Sequence, residues 1–170
     1  MLVAEGDGRK SRAMDRSCAD RCAIRTPCAG TSAAVYRYML MPTVSRFMTR
    51  EPYRISSTAS LEEARSMMTT HGIRHLPVME GDKLLGVVAE TDVRIVQAVP
   101  GVDLAHIEIS RVLTAPVCVW GETSLDEVAD VMAQKKCDCV VVLGGQGVQG
   151  IFTSSDALGA LGAVLERATL

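Results

Sequence analysis

The sequence predicts a mixed α/β (α+β) protein: two β-α-β-β-α units packed sheet to sheet with pseudo-twofold symmetry. Three observations lead there. Landmarks recur at a fixed offset of 64 residues. Each copy alternates strand-like and helix-like patterns. Each copy spans only about sixty residues, which is marginal for an independent core, so the copies are expected to bury a shared one.

Composition sets the frame. With 48% apolar and 22% charged residues, the 170-residue chain reads as globular. No run approaches the ~18–20 apolar residues of a membrane span, so no membrane association is expected. A net charge of −2 does not suggest a nucleic-acid binder. That figure hides an asymmetry: residues 1–40 carry a net of +3 and residues 41–170 a net of −5.

Residues 1–41 form an irregular leader without sustained periodicity, predicted to be disordered apart from one short helix around residues 33–39. The leader lacks the apolar core of a secretory signal, and Glu5, Asp7, Asp15 and Asp20 argue against a transit peptide. A flexible tail, a partner-binding arm and an upstream extension not normally translated all remain open. Three of the six cysteines (Cys18, Cys22, Cys28) lie here, without an evident fourth metal ligand. Cys118, Cys137 and Cys139 stand in apolar surroundings. They read as small buried hydrophobes of a reducing, cytoplasmic setting.

The first copy is assigned to residues 42–98. Residues 44–48 suggest a helical turn, broken by Thr49-Arg50-Glu51-Pro52 because the residue before proline avoids the α region. Residues 53–55 read as a short strand. Ser60 and Glu63 make a capping box, followed by a helix with Leu61, Ala64, Met68 and His71 at three-to-four spacing. Gly72 ends it. Residues 75–79 and 83–88 are strands joined by a Gly81-Asp82 turn. Residues 90–98 are a helix stopped by Pro100-Gly101.

Adding 64 carries Pro52 to Pro116, Ser60 to Ser124 with Glu127 three on, Met68 to Met132, Val78 to Val142 and Gly86 to Gly150. Residues 99–110 connect the copies, and the second copy is assigned to residues 111–167. The methionines Met67, Met68 and Met132 are expected in the core.

The chemistry concentrates at one strand–helix corner. Thr153 ends a strand where unpaired amides and the helix dipole favour an anion. Asp156 lies one turn on, suited to accept two hydrogen bonds from a ribose diol. Val117 and Ile151 are expected to sandwich a flat base. The alternative reading is a plain helix cap, Thr153 at N-cap and Asp156 at N3. No nucleophile–base pair or metal set accompanies His71, His75 or His106, so catalysis is not expected and no cofactor is required.

Together, Phe47-Met48-Thr49…Pro52, Gly72-Ile73-Arg74-His75-Leu76-Pro77-Val78 and Gly86 to Asp92, with their partners up to Gly150–Asp156, resemble a tandem pair of CBS domains, named after cystathionine β-synthase. The resemblance covers about residues 42–167. It implies clefts that bind AMP, ADP, ATP or S-adenosylmethionine. In that family a Gly-h-h-Ser/Thr-x-x-Asp segment (h, hydrophobic) supplies a hydroxyl to phosphate or ribose and an Asp to the diol. Thr153 and Asp156 complete this segment. The first copy keeps Asp92 but has Ala89 in place of the hydroxyl.

Arg74-His75 resembles the family's phosphate-meeting basic pair. The second copy has Asp138-Cys139 there, with Lys136 just before. The expectation is therefore one competent adenosine site at Thr153 and Asp156, reached also by Arg74 and His75, and one degenerate site at Asp92. The resemblance further implies a stand-alone regulatory module that forms a homodimer through its helices and acts on an unknown regulated protein. The competing reading is a ligand-free dimerisation or interaction module.

Overall fold

The structure, a computed structural model, describes residues 41–168. The leader cysteines and the helix expected around residues 33–39 lie outside the described residues. Two sheets face each other, with helices on their outer faces. The first sheet has strand order β2-β3-β4, from β2 (Ile55–Ser56), β3 (His75–Glu80) and β4 (Lys83–Ala89). Helices α1 (Leu61–His71) and α2 (Glu90–Gln97) cover it. The second sheet contains β5 (Cys118–Trp120), β6 (Cys139–Gly144) and β7 (Gly147–Thr153), with α3 (Leu125–Lys135) and α4 (Ser154–Ala168). This is the predicted pair of β-α-β-β-α units.

The repeat holds in the hydrogen-bond register. Ile55 pairs with Val78, and Val119 with Val142; Val78 pairs with Gly86, and Val142 with Gly150. Even the irregularity recurs, between Val78 and Met79 and between Val142 and Leu143. A bulge redirects side chains. Here the extra residue lies in β4 (Leu85) and in β7 (Gln149), while ordinary alternation lets each middle strand serve two cores. Leu76, Val78, Val140 and Val142 pack under their own helices. Met79 and Leu143 turn to the opposite sheet, where they join Leu84, Val87, Cys118, Val141 and Val148. That third cluster is the sheet-to-sheet contact. Met68 and Met132 are buried, and Met67 packs at the edge of the first cluster, as expected.

One feature departs from the expected break at residues 49–52. Thr49–Arg50 is a two-residue strand, β1, and it pairs with β7 of the second copy, Thr49 opposite Ile151. A strand this short leaves no periodicity to read. The chain before it follows the same route. The Val44 N–H donates to Thr123 O at 2.9 Å, and Val44 and Met48 sit in the second copy's core. The exchange is reciprocal: Thr114 and Val87 trade both backbone bonds at 2.9 and 3.0 Å, and Ile109 is buried in the first core. Gly86 and Gly150 are the crossing points. A Cβ on Gly86 would lie 2.7 Å from Thr114 O, and one on Gly150 would lie 2.9 Å from Thr49 O.

The exchange also explains an unmatched cap. In α1 the Ser60 hydroxyl accepts from Glu63 N–H at 3.2 Å, and the Glu63 carboxylate accepts from Ser60 N–H at 2.7 Å. The hydroxyl half of the expected second box, Ser124 with Glu127, is not built: the Ser124 side chain makes no cap bond. The lead-in segment covers that end instead. Thr43 bridges Ser124, and Leu125 N–H donates to Pro42 O at 3.0 Å.

The C-caps diverge as well. Gly72 takes φ 63°, and its counterpart 64 residues on, Lys136, takes φ 52°. A side chain there costs about 1–2 kcal/mol, partly offset by the lower unfolded entropy of a non-glycine residue. Lys136→Gly is expected to stabilise the protein by about 0.5–1 kcal/mol, read as a raised urea midpoint.

Candidate functional site

At the second corner, Thr153 and Asp156 hold each other. The Asp156 carboxylate accepts from Thr153 N–H at 2.8 Å and from the Thr153 hydroxyl at 2.7 Å. The helix-cap reading is therefore realised. Among the described residues this occupies only Oδ2 of Asp156. The first corner keeps the carboxylate half alone, with Ala89 N–H donating to Asp92 Oδ2 at 3.2 Å.

The cap lies in the wall of a cleft of about 320 Å³ between the copies. Ile151, Thr153 and Asp156 come from the second copy; Tyr53, Ile73, Arg74 and His75 come from the first. The cleft thus unites both copies with the lead-in segment around Thr49–Pro52 on one surface. Of the residues singled out from sequence, it gathers Thr153, Asp156, Ile151, Arg74 and His75. Asp92 stays at the other corner.

Val117 is not brought to this cleft. Its carbonyl accepts from Val141 N–H at 2.8 Å, and its side chain packs on the second core. Because the lead-in segments are exchanged, the wall opposite Asp156 comes from the other copy. The residue there is Tyr53, 64 positions before Val117. The Tyr53 ring is half exposed and stacks on His71, centroids 3.8 Å apart and planes 16° from parallel. His71 lies in the last turn of α1, so the helix end positions the ring. Applying the 64-residue offset to Val117 would have found Tyr53, had the exchange been known.

A smaller cavity of about 190 Å³ adjoins the cleft on the side facing the first corner. Arg74, His75, Thr153 and Ser155 line both spaces. Arg74 Nη2 donates to Ser155 Oγ at 2.9 Å, tying the two copies together. Burial lowers the pKa of His75; the Asp138 charge opposes this, Arg74 lowers it further and Asp92 opposes. His75 is thus a neutral hydrogen-bonding group at pH 7, and Arg74 is a cation that lines both spaces. A larger groove of about 460 Å³ between α1 and α2 contains neither corner's capping pair.

The described cysteines, Cys118, Cys137 and Cys139, offer no reactive thiolate. Burial, then the charges of Cys137 and Asp138, push the Cys139 thiol up to about 12, and burial also raises Cys137. Cys118 is fully buried. Among the described residues, no three His, Cys, Asp or Glu side chains are placed to hold a metal ion.

Comparison with known proteins decides the family. The CBS domain model matches twice, at residues 44–98 and 108–163. The chain belongs to the CBS domain family. Similar solved CBS-type structures include an acetoin utilization protein (AcuB) from Vibrio cholerae, 29% identical with a TM-score of 0.67, covering 76% of this chain and 97% of that one. The CBS pair of protein MJ0100 is 25% identical with a TM-score of 0.64, covering 72% and 98%; that structure is a complex with 5′-methylthioadenosine and S-adenosyl-L-methionine.

Among sequences, the inosine-5′-monophosphate dehydrogenase of Thermoplasma acidophilum is 29% identical over 110 residues, 64% of this CBS protein. The CBS domain-containing protein YhcV of Bacillus subtilis is 24% identical, spanning 68% of this chain and 83% of that one. The chain spans about a fifth of the length of the dehydrogenases it matches, 21% and 22%.

Proposed function

We propose that this CBS pair is a regulatory module that binds an adenosine-type ligand in the cleft at Thr153 and Asp156 and signals by shifting one copy against the other. The observation that carries the reading is the composition of that cleft. One wall offers a carboxylate and a hydroxyl at a helix start, and the facing wall offers an aromatic ring and a guanidinium. The carboxylate suits a ribose diol, and the amides of the α4 N-terminus with Arg74 suit an anionic group. Tyr53 supplies a stacking face for a base. The adenosine ligands of the MJ0100 pair support the same chemistry. AMP, ADP, ATP and S-adenosylmethionine are the candidate ligands. The Arg74–Ser155 bond joins the copies across the binding surface, so a ligand that takes the guanidinium alters their contact.

Calorimetric titration of adenosine, AMP, ATP and S-adenosylmethionine tests the assignment. Asp156→Ala removes both the cap and the diol acceptor. Loss of hydrogen bonds to a charged group weakens binding by about 1.5–3 kcal/mol, ten- to hundredfold. Asp92→Ala removes the matching cap bond at the other corner and controls for stability; the loss of affinity in Asp156→Ala should exceed it. Tyr53→Ala is expected to cost about 1–3 kcal/mol of base stacking. Equal affinities in wild type and Asp156→Ala would refute the site.

For assembly, we infer a homodimer through the outer helices. Leu158, Leu161 and Leu165 are exposed at i, i+3 and i+7 along α4, and Ile95 and Val99 are exposed on and just after α2. Such a stripe is expected against a second helix face. Sedimentation equilibrium is expected to give twice the monomer mass of 18.2 kDa; a monomer at micromolar concentration would exclude it.

A further inference from the structure

The smaller cavity carries a charge pattern of which the adenosine reading uses only half, taking Arg74 and leaving Asp138. Arg74 and Asp138 both line it, and they are the same position in the two copies, 64 residues apart. One is a cation and the other an anion. Among the described residues the Arg74 side chain donates to the Ser155 hydroxyl, and neither Arg74 nor Asp138 makes an ion pair. The third charged group, Glu90, pairs with Arg94 at 3.2 Å. His75 beside them is neutral at pH 7 because burial lowers its pKa. The space therefore presents one positive and one negative group, neither of them in an ion pair among the described residues.

Geometry connects this space to the cleft. Thr153 and Ser155 line both spaces together with Arg74 and His75, so a substituent on a nucleoside held at Asp156 has a continuous path from one to the other. A volume of about 190 Å³ holds about six water-sized groups. That is the scale of a short amino-acid chain with its carboxylate and ammonium. A triphosphate brings several negative charges toward Asp138 and Glu90, and among the described residues lining this cavity Arg74 is the one Arg or Lys side chain that meets them.

We propose that this cavity is a subsite for a zwitterionic amino-acid tail on the nucleoside, with Arg74 taking the carboxylate and Asp138 the ammonium. Asp138 is then the specificity-determining residue, and it excludes polyphosphates. The proposal rests on the adenosine reading of the adjoining cleft.

The test compares ligands that differ only in the tail. S-adenosylhomocysteine and 5′-methylthioadenosine share the nucleoside and a neutral thioether; only the first has the amino-acid group. Calorimetry on the wild-type chain is expected to show S-adenosylhomocysteine binding at least about tenfold tighter, the effect of one charge-assisted hydrogen bond, and ATP no tighter than adenosine. In Asp138→Asn the preference for S-adenosylhomocysteine is expected to fall about tenfold. In Asp138→Lys the order of ATP and adenosine is expected to invert. Asp138 is exposed, so neither change disturbs the core.

Equal binding of the two thioethers by the wild type, an Asp138→Asn ratio equal to the wild-type ratio, or ATP binding tighter than adenosine in the wild type would overturn this proposal while leaving the adenosine site standing. No binding of any nucleoside would overturn both.

Discussion

Gly86→Val is expected to lower the unfolding free energy by about 3 kcal/mol or more, with Gly150→Val close behind. At Gly86 a first side-chain carbon would stand 2.7 Å from a backbone oxygen, Thr114 O, and 2.7 Å from Leu113 Cδ1. A side chain can swing away; the carbonyl moves only if the lead-in segment does. Overpacking of this kind costs about 1–3 kcal/mol, and losing the two Val87–Thr114 bonds adds about 1 kcal/mol each. Against a total stability of about 5–15 kcal/mol this is a large fraction. For a chain of this size it corresponds to a fall of about 6–12 °C in Tm. Gly159 supplies the contrast. It lies inside α4 with nothing within 4 Å of where a methyl group would sit, so Gly159→Ala is expected to gain about 0.5–1 kcal/mol. Differential scanning calorimetry of the three variants reads both signs. A Gly86→Val protein as stable as the wild type would show that the crossing is not tight.

The second large effect is expected at Phe152. It is 1% exposed and packs among Val44, Val119, Val128 and Val140. Phe152→Ala leaves a cavity that these β-branched neighbours fill poorly, at a cost of about 3–5 kcal/mol. Phe152→Leu keeps most of the volume and is expected to cost less than half of that. The residue directly precedes Thr153, so loosening β7 also loosens the cap that presents Asp156 to the cleft. Urea denaturation is expected to show the lower midpoint with an unchanged slope, and nucleoside affinity is expected to fall in step. A cost below about 1 kcal/mol would mean that this core is not what fixes the corner.

Much of the fold was legible because the repeat doubled every signal. A strand of six residues such as β3 is ambiguous alone, but the same pattern 64 residues later, with the same glycine after it, resolves the ambiguity. The corner at Thr153 and Asp156 was legible for the same reason, and so was the defect at Ala89. What could not be read was which copy each short segment serves. Two-residue strands have no period, and β1 is defined only by its partner. That one gap misplaced Val117 and concealed Tyr53, because a cleft wall follows three-dimensional neighbours rather than sequence neighbours. The charge pair of Arg74 and Asp138 was visible as a departure from the repeat. Its meaning needed the small cavity that both residues line.

The crossed arms have a consequence for how the chain is made. Val44 and Met48 leave the ribosome about a hundred residues before β7, the strand that receives them. At about 5–20 residues per second that is roughly 5–20 s during which an apolar hook has no seat. The newborn first half is thus a wedge with one side bare, and its closure waits on β7.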